Sequence, residues 1–162
     1  MKYKIRQKIF SLGDNFVIKN ELDEPELIVQ SKLLTLGNKL TIYDRFNNEL
    51  FYVEESILRL LAEYRIYQDG NEVAFVKKKF SLFRPQIDIN SQYGNFTIDG
   101  DFLAYNFSIN QDGIPVAKIT KKVFSFTDEY LLDILVNDNV DFLITLVIVV
   151  DQILHDRKNS SN

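Results

Sequence analysis

The chain begins with a short alternation of apolar and charged residues. In KYKIRQKI, residues 2–9, Tyr3 and Ile5 alternate with Lys4 and Arg6, a period of two that is typical of a half-buried strand. Further apolar or alternating runs follow at 16–19, 27–32, 40–44, 50–53, 57–67, 72–77, 86–89, 95–98, 103–109, 116–120 and 129–135. The pattern therefore predicts about twelve strands.

Residues that favour tight turns separate these runs. They are Gly13-Asp14, Asp23 to Pro25, Leu36 to Asn38, Asn47-Asn48, Asp69-Gly70, Tyr93-Gly94, Asp99-Gly100 and Asp112-Gly113. Gly, Asn and Asp adopt left-handed turn backbone at little cost. Because no helical pattern lies between the runs, consecutive strands are predicted to form antiparallel hairpins.

Two of the hairpins repeat each other at a constant offset of 43 residues. The stretch YRIYQDGNEVAFVKKKFSLF, which begins at Tyr64, aligns without a gap with FSINQDGIPVAKITKKVFSF, which begins at Phe107. Looser copies begin at Phe16 and Leu40, and ordinary hairpin chemistry explains these two equally well. A duplicated set of hairpins predicts a closed barrel, which leaves no sheet edge exposed.

The last apolar run, FLITLVIVV at 142–150, does not alternate and continues through Ile153 and Leu154. It predicts a helix from about Asp138 to Asp156, with cap residues before it and basic residues at its other end. Such a helix is apolar on nearly every face and must be buried in protein or in lipid.

Two aspartates decide between these environments. Asp141 and Asp151 leave nine uninterrupted apolar or Thr residues, whereas a membrane span needs about 20. Burial inside a twelve-stranded barrel is therefore predicted, since the lumen of such a barrel must be filled. A protein that inserts this segment into a membrane is the alternative.

Composition narrows the class of protein. The 162 residues fit one domain, predicted as a barrel over 1–157 followed by a disordered tail at 158–162. The net charge of −4 argues against nucleic-acid binding, and the absence of cysteine excludes disulfides. The N-terminal segment lacks the apolar stretch of a signal peptide, so a cytoplasmic location is expected.

Three stretches carry a family resemblance. VAKITKKVFSFTDEYLLDI from Val116, KYKIRQKIFSLGDNFVIKNE from Lys2 and LLTLGNKLTIYDRFNNELFYVEE from Leu33 resemble, in order and spacing, blocks of the LURP-one-related family, including its YxjI-like bacterial members. The resemblance implies a tubby-like fold, a twelve-stranded antiparallel barrel around a hydrophobic C-terminal helix. That fold is shared distantly with tubby domains and phospholipid scramblases. Glu54-Glu55 stand where many members have a basic cluster.

The resemblance implies binding rather than a reaction, because tubby domains recognise phosphoinositide head groups through lysine and arginine. No tubby ligand motif matches residue by residue. The densest basic residues are Lys77, Lys78, Lys79, Arg84, Lys121 and Lys122, interleaved with Phe80, Phe83 and Phe124. Lys78, Lys79, Arg84, Lys121 and Lys122 form the hypothetical surface for anionic lipid, which places the protein at the membrane periphery. Ordinary solvated strand residues are the alternative, and a protein partner is the other candidate ligand.

Catalytic residue types are sparse. The one histidine, His155, is predicted to interact with the helix C-terminus. Asp99 with Asp101, and Asp138 with Asp141, have close spacing but suit turns and caps better than a metal. Asp44, Asp128 and Asp151 are the candidates for a buried carboxylate pair. We therefore expect a non-enzymatic domain without metal or cofactor, with a carboxylate-based enzyme as the rival.

Overall fold

The computed structural model describes residues 1–6, 15–32, 37–82, 86–101, 104, 106–121 and 129–155, with the backbone alone at Arg6, Lys121, Glu129 and His155. Within these residues the chain forms twelve strands and one helix. The strands are β1 Lys2–Arg6, β2 Phe16–Asn20, β3 Pro25–Ser31, β4 Lys39–Asp44, β5 Glu49–Glu55, β6 Glu63–Gln68, β7 Asn71–Lys79, β8 Gln86–Ser91, β9 Phe96–Asp101, β10 Asn106–Gln111, β11 Ile114–Lys121 and β12 Glu129–Ile134; helix α1 is Val140–His155.

Each strand pairs antiparallel with its neighbours in the sequence, and β1 also pairs with β12. Ile5 lies opposite Tyr130 and Tyr3 opposite Leu132, which closes the sheet on itself. The predicted twelve-stranded antiparallel closed barrel is confirmed.

Helix α1 fills this barrel. Each side chain from Phe142 to Val150 is buried, and a helix can be buried on every side only if a wall surrounds it. The Phe142 ring lies 4.3 Å from the ring centroid of Tyr93 and 6.0 Å from that of Phe51. Phe107 and Ile109 of strand β10 belong to the same core.

The helix begins at Val140, two residues after the predicted start. Asn139 precedes it in the left-handed region at φ 53°, a backbone conformation that Asn tolerates better than most residues. The Leu143 amide donates to the Asn139 carbonyl at 2.9 Å. Inside the helix, the buried Thr145 hydroxyl donates to the Asp141 carbonyl at 2.8 Å, so this polar group is satisfied in the core.

The repeated hairpins are structurally equivalent. The β6–β7 and β10–β11 turns place Asp69 and Asp112 at φ 50°, and Gly70 and Gly113 at 78° and 83°, the double left-handed geometry of a type I′ turn. A register shift follows a fully buried isoleucine in both hairpins and also in the two looser copies; these residues are Ile18, Ile42, Ile66 and Ile109.

Two predicted strands differ from the observed ones. The run 57–67 contains strand β6 only from Glu63, because Ser56 to Ala62 form the β5–β6 connection. The run 103–109 contains strand β10 only from Asn106. The first segment is apolar but does not alternate, since Ile57 is followed directly by Leu58, so its composition resembles that of a strand while its pattern does not.

Replacement of Leu146 by Asp tests the role of the helix. The Leu146 side chain is fully buried, and Asp there removes the packing of the leucine and places a carboxyl group without a partner in the core, a combined cost comparable with the about 5–15 kcal/mol that stabilises a typical domain. We expect the variant to lose its cooperative thermal transition in circular dichroism and to accumulate in the insoluble fraction. Gln152→Ala, at a partly exposed position of the same helix, is the matched control and should fold. A soluble, cooperatively folded Leu146→Asp protein would contradict a helix enclosed by the barrel.

Candidate functional site at the loop end of the barrel

The two ends of the barrel differ in their connections. Because consecutive strands are antiparallel, alternate connections lie at the same end. One end carries the short connections after β2, β4, β6, β8 and β10, and we call it the turn end. The other, the loop end, carries the longer connections, including 56–62 between β5 and β6 and 80–85 between β7 and β8.

Large apolar side chains project from the loop end. Leu58 and Leu60 are 98% and 99% exposed, and Phe80 and Leu82 are 77% and 79% exposed. The first pair lies in the β5–β6 connection and the second pair follows β7. The two segments are joined by a hydrogen bond of 2.9 Å from the Lys78 amide to the Ala62 carbonyl. The four side chains therefore belong to neighbouring segments, and we call them the apolar tips.

Leu58 also has a strained backbone. Its φ is 61°, the left-handed region that costs a branched side chain about 1–2 kcal/mol. Neither packing nor turn chemistry accounts for a leucine here, since its side chain is almost wholly in solvent. Strain that the fold retains at an exposed position points to a role in binding.

Basic residues lie beside the apolar tips. The Glu63 carboxylate, itself buried, pairs with the Lys77 ammonium at 3.0 Å and with the Arg59 guanidinium at 3.6 Å. Lys79 pairs with Asp88 at 3.2 Å. Lys78 lies between these two lysines in strand β7. Several cations therefore lie close to the tips along the chain, but carboxylates of the neighbouring strands β6 and β8 offset much of their charge.

The basic surface that was predicted to bind anionic lipid is divided between two strands. Lys78 and Lys79 end β7, and Lys121 ends β11, with β8, β9 and β10 between them. Lys78 and Lys121 do occupy equivalent hairpin positions, and both lie at the loop end. Arg84 and Lys122 lie outside the described residues. Anion binding by these five residues stays a prediction.

The two candidate carboxylates that the structure describes, Asp44 and Asp151, lie apart. Asp44 accepts hydrogen bonds of 2.8 Å from the amides of Phe46 and Asn48, so it stabilises the β4–β5 turn. Asp151 lies inside the barrel, ten residues along the helix from Asp141, or about 15 Å. Asp128 lies outside the described residues. In the described part of the chain, no three metal-ligating side chains come together.

Asp151 is the buried acid of the core. Its side chain is 2% exposed, and burial raises the pKa of its carboxyl group well above the usual value, while a hydrogen bond with Tyr130 opposes this shift. Removal from water disfavours the charged form, which explains the direction. Near the other end of the helix, the pKa of Asp141 is also raised. Burial is the largest cause, and the negative charges of Glu26 and Asp44 add to it.

The pH dependence of stability tests this burial. Above the ordinary aspartate pKa of about 3.9, unfolded protein releases the Asp151 proton while folded protein retains it. The contribution of Asp151 to stability must therefore fall as pH rises from that value towards the raised folded pKa. Asp151→Asn cannot ionise, so it should be more stable than the parent at pH 7 and similar near pH 3 in urea unfolding. Asp138→Asn, at an exposed position before the helix, is the control. A parent that gains stability relative to Asp151→Asn as pH rises would contradict the assignment.

The sequence predicts a strand over 57–67 and therefore does not predict the exposure of Leu58 and Leu60. The signal was present: in SILRLLAEY, which starts at Ser56, apolar residues occur in adjacent pairs instead of alternating. Leu82, four residues after Lys78, lies beyond the end of β7. Its exposure depends on where β7 ends, which composition does not reveal.

Comparisons with known proteins agree with this architecture. The LURP-one-related family model matches residues 1–151. The uncharacterized protein YxjI of Bacillus subtilis (strain 168) is 28% identical over 157 residues, which cover 97% of this chain and 96% of that protein. The family resemblance seen in the sequence is thus confirmed.

A solved structure shows the same fold. The X-ray structure of a protein from Arabidopsis thaliana, which has the tubby-like fold, matches with a TM-score of 0.66 at 15% identity, over 94% of this chain and 91% of that one. Within the described residues, no helix has both the length and the apolar character required to cross a bilayer.

Proposed function

We propose that this chain, which belongs to the LURP-one-related family, is a non-enzymatic binding domain whose loop end rests on an anionic membrane surface. The observation that carries the proposal is the group of apolar tips, Leu58, Leu60, Phe80 and Leu82, exposed on two joined segments beside Arg59, Lys77, Lys78 and Lys79. Apolar side chains with basic neighbours are the composition that binds at a lipid headgroup boundary.

The apolar tips supply most of the binding free energy in this account. Full burial of a Leu or Phe side chain contributes about 1.5–3 kcal/mol, and partial insertion of four such residues outweighs the cost of bringing the protein to the surface. A Lys or Arg near an anionic leaflet adds about 1 kcal/mol. Pairing of Lys77 with Glu63 and of Lys79 with Asp88 reduces that contribution here.

A bilayer suits the form of these side chains better than a protein groove does. Leu58 and Leu60 protrude almost completely into solvent, and the headgroup boundary accepts protruding side chains without matched shape. Since the cytoplasmic leaflet carries anionic lipid, the proposal accords with a cytoplasmic protein at the membrane periphery. The separation of Asp44 from Asp151 supports the non-enzymatic part of the proposal.

Vesicle sedimentation tests the proposal. The protein should pellet with vesicles of phosphatidylcholine and phosphatidylglycerol, and less with phosphatidylcholine alone. The double variant Leu58→Asn with Leu60→Ser should bind about tenfold more weakly, as expected for loss of about 1.4 kcal/mol. Leu58→Asn alone should raise the unfolding free energy, because Asn tolerates the left-handed backbone better than Leu. Weaker binding by a more stable protein would exclude unfolding as the cause.

The control is an exposed leucine at the opposite end. Leu22 is 77% exposed and lies in the β2–β3 turn, so Leu22→Ser should bind like the parent. Equal loss in Leu22→Ser and in the double variant would contradict docking by the loop end. Absence of pelleting with either vesicle would reject the membrane and leave a protein partner as the candidate ligand.

A further inference from the structure

A second, independent site lies on the outer wall of the barrel. A cleft of about 350 Å³ is lined by Glu49, Tyr52, Glu54, Tyr67 and Gly70. Its volume is in the range of small-molecule sites. The cleft runs along β5 and β6 and reaches the β6–β7 turn at Gly70, away from the apolar tips.

The two tyrosines form the apolar surface of the cleft. Tyr52 and Tyr67 are direct partners in the β5–β6 register, with ring centroids 6.0 Å apart and planes inclined by 39°. Burial, and then the charge of Glu72, raises the pKa of Tyr67, so its ring remains a neutral phenol at pH 7. Two phenol rings side by side offer faces that attract cations.

The carboxylates give the cleft its charge preference. Glu54 is paired with the Lys39 ammonium at 2.6 Å, and Glu72, beside Tyr67, is paired with the Arg65 guanidinium at 2.8 Å. Among the described residues Glu49 has no such ion pair, so its carboxylate is the charged group of the cleft lining that no ion pair offsets. A single carboxylate beside two aromatic rings favours a monovalent cation.

The same wall already binds cations through aromatic rings. The Lys32 ammonium lies 5.8 Å from the centroid of the Tyr52 ring, and the Arg65 guanidinium lies 5.1 Å from that of Phe75. Neither Lys32 nor Arg65 lines the cleft. The ring of Tyr67 and the carboxylate of Glu49 are thus the groups that an external cation would contact.

Other classes of ligand fit less well. Divalent Ca²⁺ takes six to eight oxygen ligands, whereas the cleft has two carboxylates, one of them engaged by Lys39. An anion would be repelled by Glu49, whose charge no ion pair among the described residues offsets. We infer that the cleft binds a small organic ammonium cation, held by the Tyr67 ring and the Glu49 carboxylate, with the Tyr52 ring beside it.

Titration with tetramethylammonium chloride tests this inference. In protein labelled with ¹³C at tyrosine, the ring signals of Tyr52 and Tyr67 should shift saturably with millimolar affinity, whereas sodium chloride at the same ionic strength should leave them unchanged. Glu49→Gln should weaken binding about fivefold, as a lost cation–carboxylate contact requires. Glu24→Gln, at an exposed carboxylate in another turn, should bind like the parent.

Substitutions at Tyr67 separate ring attraction from hydrogen bonding. Tyr67→Phe keeps the ring face and should retain affinity, while Tyr67→Leu should abolish saturable shifts. If Tyr67→Leu does not fold, Glu49→Gln still decides the question. Phosphatidylcholine vesicles that shift the same signals would identify a lipid-borne ammonium group, and a response to tetramethylammonium alone would identify a free cation.

Equal shifts with sodium chloride would overturn the site. Unchanged affinity in both Glu49→Gln and Tyr67→Leu would overturn it as well. These results are independent of vesicle binding by the loop end, because neither Glu49 nor Tyr67 belongs to the apolar tips.

Discussion

The fold depends on the mutual burial of the C-terminal helix and the inner face of the barrel. Side chains from Phe142 to Val150 are buried on every side of the helix, so the helix has no solvent face of its own. The inward side chains of the strands, such as Ile42 and Ile66, would in turn face an empty lumen without it. Since apolar burial is the main stabilising term in folding, neither part is stable alone.

This constraint explains the contrast between the two ends. The turn end closes through tight connections such as Asp69-Gly70, and Phe142 with the rings of Phe51, Tyr93 and Phe96 packs beneath them. The loop end has longer connections, so side chains that the core does not need can project from it. Leu58 and Leu60 are placed there by a rigid scaffold. Loops positioned by a fixed barrel are a common way to build a binding surface.

Asp151 is the exception within this core. A polar group buried beside Tyr130 lowers stability at neutral pH relative to an uncharged residue of the same shape. Protein cores tolerate such residues when they specify one packing arrangement among several. Its hydrogen bond with Tyr130 joins the helix to strand β12.

Local patterns predicted most of the fold. Alternation of apolar and polar residues and the Asp-Gly turns located the hairpins. The repeat at an offset of 43 residues identified two equivalent hairpins, and both have a register shift, after Ile66 and after Ile109. The family resemblance also implied the closed barrel and its number of strands.

The candidate sites were less predictable for physical reasons. The apolar tips depend on where β5 and β7 end, and apolar residues in a loop resemble a strand by composition. The tyrosine cleft depends on the β5–β6 register, which brings Tyr52 opposite Tyr67. No spacing rule in the sequence shows that contact. The sequence indicated that Asp151 could be buried, but only the barrel structure shows that it lies apart from Asp44.

Hydrogen exchange measured by mass spectrometry, with and without anionic vesicles, tests the central claim most directly. If the helix remains the core while the loop end docks, amides of 142–150 should exchange only through global unfolding in both conditions, and vesicles should slow exchange only near 56–62 and 80–82. Faster exchange across 142–150 on vesicle binding would show that the helix leaves the barrel for the membrane, and would contradict the account.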